Sequence, residues 1–188
     1  MRTLVMTQNI TVDGSIEMLD DWFAPQGDED VDNSDVVEWS QRASADADAL
    51  LLGRRTFEDM RGYWRDLDDD PTGVSDYLNQ VPKYVVSSTI TDPDWEPTTV
   101  LAGDPIDAVR RLKHADGSDI VVTGSISLSH ALIAAGLIDE YRLLVYPTVQ
   151  GRGRRLFPDG YTLPQLDLLE TRSFNAGITL LSYRPHTA

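Results

Sequence analysis

Ala49-Leu50-Leu51-Leu52-Gly53-Arg54-Arg55-Thr56-Phe57-Glu58 decides how this chain is read. A short apolar run stops at a glycine, and two arginines and a threonine then open a helical pattern. An uninterrupted apolar run closed by a turn residue reads as a buried strand of the kind found in parallel sheets. Strand and helix together bring two cations, a hydroxyl and the unpaired amides of a helix start to one point. Helix N-termini attract anions through those amides and the macrodipole. Forked guanidinium hydrogen bonds suit a phosphate in the same place. The competing reading is a plain arginine-rich helix start with both side chains in water. The ten residues alone do not separate the two.

Outward from this stretch the chain alternates short apolar runs with helical patterns. Thr3–Gln8, Leu50–Gly53, Tyr84–Ser87, Thr99–Leu101, Ile120–Thr123 and Tyr141–Pro147 read as strands. Helices are expected over Asp35–Ala47, Thr56–Trp64, Asp104–His114 and Ser127–Ala135. Asp104-Pro105 is a cap followed by proline at the first helical position, and Gly136 suits a C-terminal cap. Leu166–Phe174, a turn at Asn175-Ala176-Gly177, and Ile178–Tyr183 form an antiparallel hairpin signal. The fold class is therefore α/β: three layers, α/β/α, around a mostly parallel sheet with an antiparallel C-terminal hairpin at one edge.

In open sheets of this kind ligands bind beyond the carboxyl ends of the strands. Gly53, Ser87-Ser88 and Thr123-Gly124 all fall at such ends. Ser87 and Ser88 close the strand of Lys83-Tyr84-Val85-Val86, where hydroxyls can hold a phosphate or simply make a turn. Thr123-Gly124-Ser125-Ile126-Ser127-Leu128 is a glycine turn into a helix, either a diphosphate cradle or an ordinary strand-to-helix turn. Three phosphate signals on one sheet edge suit a nucleotide with two separated phosphate groups, such as NADPH. No G-x-G-x-x-G is present. Val12–Ser34, which holds Asp13-Gly14, Pro25 and Gly27 around Trp22-Phe23, and the acidic Arg65–Pro82 read as loops. The adjacent aromatics point the first of them toward a functional lid.

Composition narrows the classes. The 188 residues are expected to form one domain, 1–188, with 41% hydrophobic and 25% charged residues. A formal net charge of -15 argues against nucleic-acid binding and against anionic membranes, so a phosphate ligand needs a local positive pocket. Without cysteine there is no disulfide, thiolate metal site or cysteine nucleophile, and three scattered histidines make no zinc pattern. No metal is expected. With no long apolar segment and no leader pattern, the expected compartment is the cytoplasm. The closing hairpin suggests a homodimer paired across a two-fold axis.

Several stretches together carry a resemblance. They are Thr11-Val12-Asp13-Gly14-Ser15-Ile16, Leu52-Gly53-Arg54-Arg55-Thr56-Phe57-Glu58, Lys83-Tyr84-Val85-Val86-Ser87-Ser88, Val122-Thr123-Gly124-Ser125, Leu137-Ile138-Asp139-Glu140-Tyr141-Arg142-Leu143 and Tyr146–Phe157. In this order the chain resembles the dihydrofolate reductase superfamily. Within it, the likeness is greatest to the reductase domain of bacterial riboflavin biosynthesis and its stand-alone relatives. The resemblance implies NADPH as cofactor and hydride transfer to a small heterocycle or ribosylamino-pyrimidine, as in 5-amino-6-(5-phosphoribosylamino)uracil reductase. It implies that Arg54, Arg55, Thr56, Ser87 and Ser88 face the adenosine 2′-phosphate. Gly53, Thr123, Gly124, Ser125, Ile126, Ser127 and Leu128 would cradle the rest of the cofactor. Asn9, Val12, Asp13 and Gly14 would border nicotinamide and substrate, with Trp22, Gly151 and Gly153 on the substrate side and the proton coming from solvent or a loop carboxylate such as Asp13. Two departures stand out. Gly124-Ser125 replaces the usual glycine pair, and neither Asp35 nor Glu38 falls cleanly on the carboxylate position of folate reductases. A pteridine-type reductase and a nucleotide-binding module without turnover are the alternatives.

Overall fold

The computed structural model describes residues 1–24, 30–162 and 165–186. Pro25 and Gly27 of the first loop lie outside the described residues. The chain runs β1 (Leu4–Thr11), α1 (Ser34–Ala45), β2 (Ala47–Gly53), α2 (Arg54–Trp64), α3 (Val74–Gln80), β3 (Lys83–Val86) and β4 (Thr98–Leu101). It continues through α4 (Pro105–His114), β5 (Asp119–Thr123), α5 (Ile126–Ala134), β6 (Glu140–Tyr146), β7 (Leu166–Ser173) and β8 (Thr179–Pro185). One sheet holds all eight strands in the order β4-β3-β2-β5-β1-β6-β8-β7. The pairs from β4 through to β6 are parallel, and β8 joins β6 and β7 antiparallel.

Alternation along each strand builds the layers. Leu4, Met6, Leu51, Ile120 and Val122 form one face, covered by Val109 and Leu112 of α4 and Leu132 of α5. Leu50, Leu52 and Val85 form the other, under Phe57 and Trp64 of α2 and Leu78 of α3. On that second face Val36 of α1 packs farther along, against Leu144 and Leu180. The three-layer arrangement expected from the sequence is the one observed.

Local signals explain most boundaries. The Asp104 carboxylate accepts from the Asp107 amide at 2.9 Å, and Pro105 opens α4. Gly136, at φ +63°, ends α5 by letting the Leu137 amide reach back to the Leu132 carbonyl at 3.0 Å. Two expectations need correction. The first helix stops at Ala45, because Ala47 already pairs with Asp119 in the sheet. The expected loop Arg65–Pro82 contains α3. Asp70 organises its start by accepting from the amides of Thr72 and Ser75 and from the Thr72 hydroxyl. Val74 and Leu78, one turn apart, supply its apolar face. Among the described residues no helix is long and apolar enough to cross a membrane, and no group of three or more His, Asp or Glu is placed to hold a metal.

Candidate functional site

A cleft of about 1210 Å³ lies between the second sheet face and α1, α2 and α3. It has two poles. At the first, the starts of α2 and α5 meet at the carboxyl edge of β2 and β5. Side chains stitch them together: the Gly53 amide donates to Ser125 Oγ at 2.9 Å, and the Ser125 amide donates to Thr56 Oγ1 at 2.9 Å. Gly124 and Ser125 both take left-handed backbone, at φ +54° and +49°. A Cβ on Gly124 would meet Thr56 Cγ2 at 3.0 Å, so glycine is what lets the two helix starts close up. Neither helix has a side-chain cap, so the leading amides of both lack a partner from within their helices. Arg55 is exposed and forms no ion pair among the described residues. Arg54 is tied to Glu58 at 2.8 Å. Buried Gln8 fastens the turn from below, its Nε2 donating to the Gly124 carbonyl at 2.9 Å and to Ser129 Oγ at 3.2 Å.

At the second pole the floor is made of β1 and β6. Parallel register sets Thr7 beside Arg142 and Asn9 beside Leu144, and all four line the cleft. Arg142 Nε donates to Glu140 Oε1 at 2.6 Å, and Ser182 Oγ donates to the same oxygen at 3.1 Å. Tyr146 ends this floor, held edge-on by Trp22 and Phe23 at centroid distances of 5.3 and 5.8 Å. Burial pushes its phenol up to about 12, so it stays protonated.

The cleft wall includes Gly53, Arg54, Arg55, Thr56, Thr123, Gly124, Ser125, Ile126, Ser127 and Leu128. Gly53 pairs with Val86 and Leu51 with Val122, so Ser87 reaches the same sheet edge. Ser87 and Ser88 stand apart from the cleft wall, however. Ser87 Oγ accepts from the amides of Thr89 and Ile90 and so makes a turn, while Ser88 is exposed.

The expected substrate group divides. Asn9 lines the cleft, and Trp22 packs on the Phe23 and Tyr146 rings that line it. Val12, Asp13 and Gly14 instead form a turn clasped to the Gln150–Arg154 loop. The Asp13 carboxylate accepts from the Thr11 hydroxyl at 2.6 Å, the Gly151 amide at 2.7 Å and the Gln150 amide at 3.1 Å. In that order of effect, offset in part by burial, these bonds pull its pKa down to about 2. A carboxylate so held remains ionised at neutral pH, and Asp13 is therefore corrected from proton source to loop clasp. Arg154 completes the clasp by pairing with Glu17 at 2.6 Å. Gly151 and Gly153 are corrected likewise, lining a separate depression of about 330 Å³ beside Arg152 and Arg155. A Cβ on Gly153 would strike Gln150 Nε2 and Ser15 Oγ, each at 2.8 Å. Asp35 accepts from the Asn175 amide at 2.9 Å, and Glu38 pairs with Arg42 on exposed surface. Neither lines the cleft.

Sequence reasoning missed Gln8, Arg142 and Tyr146. The signal was an arginine between apolar residues in Tyr141–Pro147, since charge inside a parallel strand has to face something polar.

Residues 2–180 match the RibD C-terminal domain family, and the chain belongs to it. It is 31% identical to the uncharacterized protein YyaP of Bacillus subtilis over 97% of this chain and 94% of that one. Among solved structures, a Shewanella sp. PV-4 protein assigned to riboflavin biosynthesis superposes with a TM-score of 0.72 at 18% identity, covering 98% of this chain and 99% of that one. The Thermotoga maritima diaminohydroxyphosphoribosylaminopyrimidine deaminase/5-amino-6-(5-phosphoribosylamino)uracil reductase superposes with a TM-score of 0.67 at 13% identity. That match covers 98% of this chain and 57% of the longer protein. At these identities the structures speak for the fold.

Proposed function

We propose that this member of the RibD C-terminal domain family is an NADPH-dependent reductase acting on a small heterocyclic or ribosylamino-pyrimidine acceptor. The observation that carries the reading is the paired helix start. Two sets of helix-start amides without intrahelical partners, a glycine turn where a Cβ would press on Thr56, and Arg55, which forms no ion pair among the described residues, converge on one rim of a large cleft. A diphosphate fits the Gly124–Leu128 turn, because its amides and the α5 dipole favour negative charge and the glycine permits close approach. A 2′-phosphate fits Arg55, with Arg54 and Thr56 beside it. NADPH, when bound, supplies the hydride.

The rest belongs to the chain itself. The cleft holds the acceptor against Asn9 and the Trp22–Phe23–Tyr146 rings, so that the gain is one of positioning. With Asp13 spent in the clasp, the proton comes from solvent. Asp35 and Glu38 lie away from the cleft, which sets this chain apart from a folate-type reductase. The exposed Leu168 and Leu169 on edge strand β7 support a homodimer paired through that edge.

The test is calorimetric titration of NADPH and NADH, followed by acceptor-dependent NADPH oxidation. Tight NADPH binding with weaker NADH binding, together with turnover of a pyrimidine or pteridine acceptor, supports the reading. Equal affinity for both nucleotides would sink the phosphate assignment. Binding without turnover of any acceptor would favour a nucleotide-binding module.

A further inference from the structure

The cleft floor narrows the class of acceptor, an inference that rests on the reductase reading above. Among the described residues four cations line the cleft: Arg54, Arg55, Arg142 and Arg154. Arg54 is paired with Glu58, Arg142 with Glu140 and Arg154 with Glu17, at 2.8, 2.6 and 2.6 Å. Arg55, which has no ion pair among the described residues, stands at the helix-start pole. Residues 25–29, 163–164 and 187–188 contain no Lys, Arg or His, so they bring no further cation. Among the described residues, the acceptor pole therefore offers no uncompensated positive charge. Binding a phosphate there would mean adding an anion to neutralised pairs in a chain of net charge -15.

The same floor is rich in unspent hydrogen-bonding groups. Arg142 uses only Nε on Glu140, and its terminal nitrogens are neither bonded among the described residues nor sealed from the cleft. The Thr7 hydroxyl and the Asn9 amide line the same floor and make no side-chain hydrogen bond among the described residues. Thr7 is directly beside Arg142, and Asn9 lies two residues farther along β1, ~7 Å away. The strip thus presents guanidinium donors, a hydroxyl and an amide across about the width of a ring, flanked by Leu144 and Tyr146.

We propose that Arg142, with Thr7 and Asn9, reads the carbonyl and ring N–H edge of an uncharged oxo-heterocycle, and that the acceptor carries no phosphate group. A guanidinium neutralised by Glu140 keeps its donors while shedding net charge, which matches a carbonyl oxygen better than an anion. Thr7 and Asn9 can each donate or accept, as the alternating groups of a cyclic amide require.

The experiment titrates 5-amino-6-(5-phosphoribosylamino)uracil, and the same compound after phosphatase treatment, into the protein with and without NADPH. The dephosphorylated compound is expected to bind at least as tightly as the phosphorylated one. Arg142→Met is expected to weaken both by about tenfold, the loss of one charge-assisted hydrogen bond. Arg142→Lys, which keeps the charge and loses the fork, serves as the second variant should the methionine change unfold the chain, and a clear loss is again expected. NADPH affinity should stay unchanged in both variants. Three results would each overturn the proposal: about tenfold tighter binding of the phosphorylated compound by the native protein, unaltered binding by both variants, or no binding of either pyrimidine. The arm without NADPH decides this even if the native protein fails to bind the cofactor, a result that would strike the reductase reading instead.

Discussion

The two poles of the cleft are built from different materials. The helix-start pole is mostly backbone: amides of α2 and α5, a left-handed Gly124-Ser125 turn, and three side chains that serve largely to hold that backbone together. The acceptor pole is mostly side chain: Thr7, Asn9, Arg142 and Tyr146 standing on two parallel strands, roofed by Trp22 and Phe23 from a loop. Backbone donors keep their positions whatever the residue, whereas side chains on a strand can be exchanged singly. The first pole therefore suits a ligand gripped through backbone geometry, and the second a ligand whose recognition is set by individual side chains.

Disturbing the backbone of the first pole should do the most damage. Gly124→Val places a branched side chain at φ +54° and 3.0 Å from Thr56. It should cost ~1–3 kcal/mol of stability and about a hundredfold in NADPH affinity, read by thermal melts and calorimetry. Full affinity in that variant would show that the first pole does not depend on its glycine turn. Next comes the division of labour between the arginines. Arg55→Ala should lower NADPH affinity about tenfold and leave NADH unchanged, whereas Arg54→Ala, already paired with Glu58, should cost about twofold. Equal losses would mean that the ion pair opens on binding.

At the other pole, Trp22→Ala removes two ring contacts, each worth ~1 kcal/mol. It should raise the KM for acceptor several-fold while the NADPH dissociation constant stays put. A matching change in both would show that the poles are not independent. The smallest effect concerns pH. The Asp13 carboxylate, held near 2 against an ordinary 3.8, keeps the clasp closed above about pH 4 and weakens it only as pH falls through 2. Turnover should therefore show no acidic limb from this group between about pH 5 and 9, and Asp13→Asn should leave the profile's shape intact. A limb that vanishes in Asp13→Asn would restore the proton-source role.

Much of the first pole was legible in the sequence. Gly53-Arg54-Arg55-Thr56 and Thr123-Gly124-Ser125 are contiguous, and contiguous residues need only a strand end and a helix start to become a site. The second pole was not, because its parts meet only through register. Nothing near Thr7 in the sequence announces Arg142, which arrives beside it only when β1 and β6 pair. Asp13 misled for a related reason. A carboxylate next to a turn looks the same in sequence whether it faces solvent, substrate or the Gln150 and Gly151 amides of a distant loop. Ahead of α3, the acidic run Asp66–Asp70 hid a helix whose start is organised from within that run, by Asp70 accepting from the Thr72 and Ser75 amides. Ser87 and Ser88 lie at the right edge, yet the turn claimed Ser87 first.

The central place of β1 has a consequence for biosynthesis. This strand leaves the ribosome well before the neighbours it needs, β5 and β6, which set Ile120 opposite Leu4 and Glu140 opposite Val5. Until those are made, an apolar strand with two unsatisfied edges must wait, a state prone to mispairing. The parts of the helix-start pole are all made once α5 has left the ribosome, whereas the floor of the other pole has to wait for β6 to reach β1.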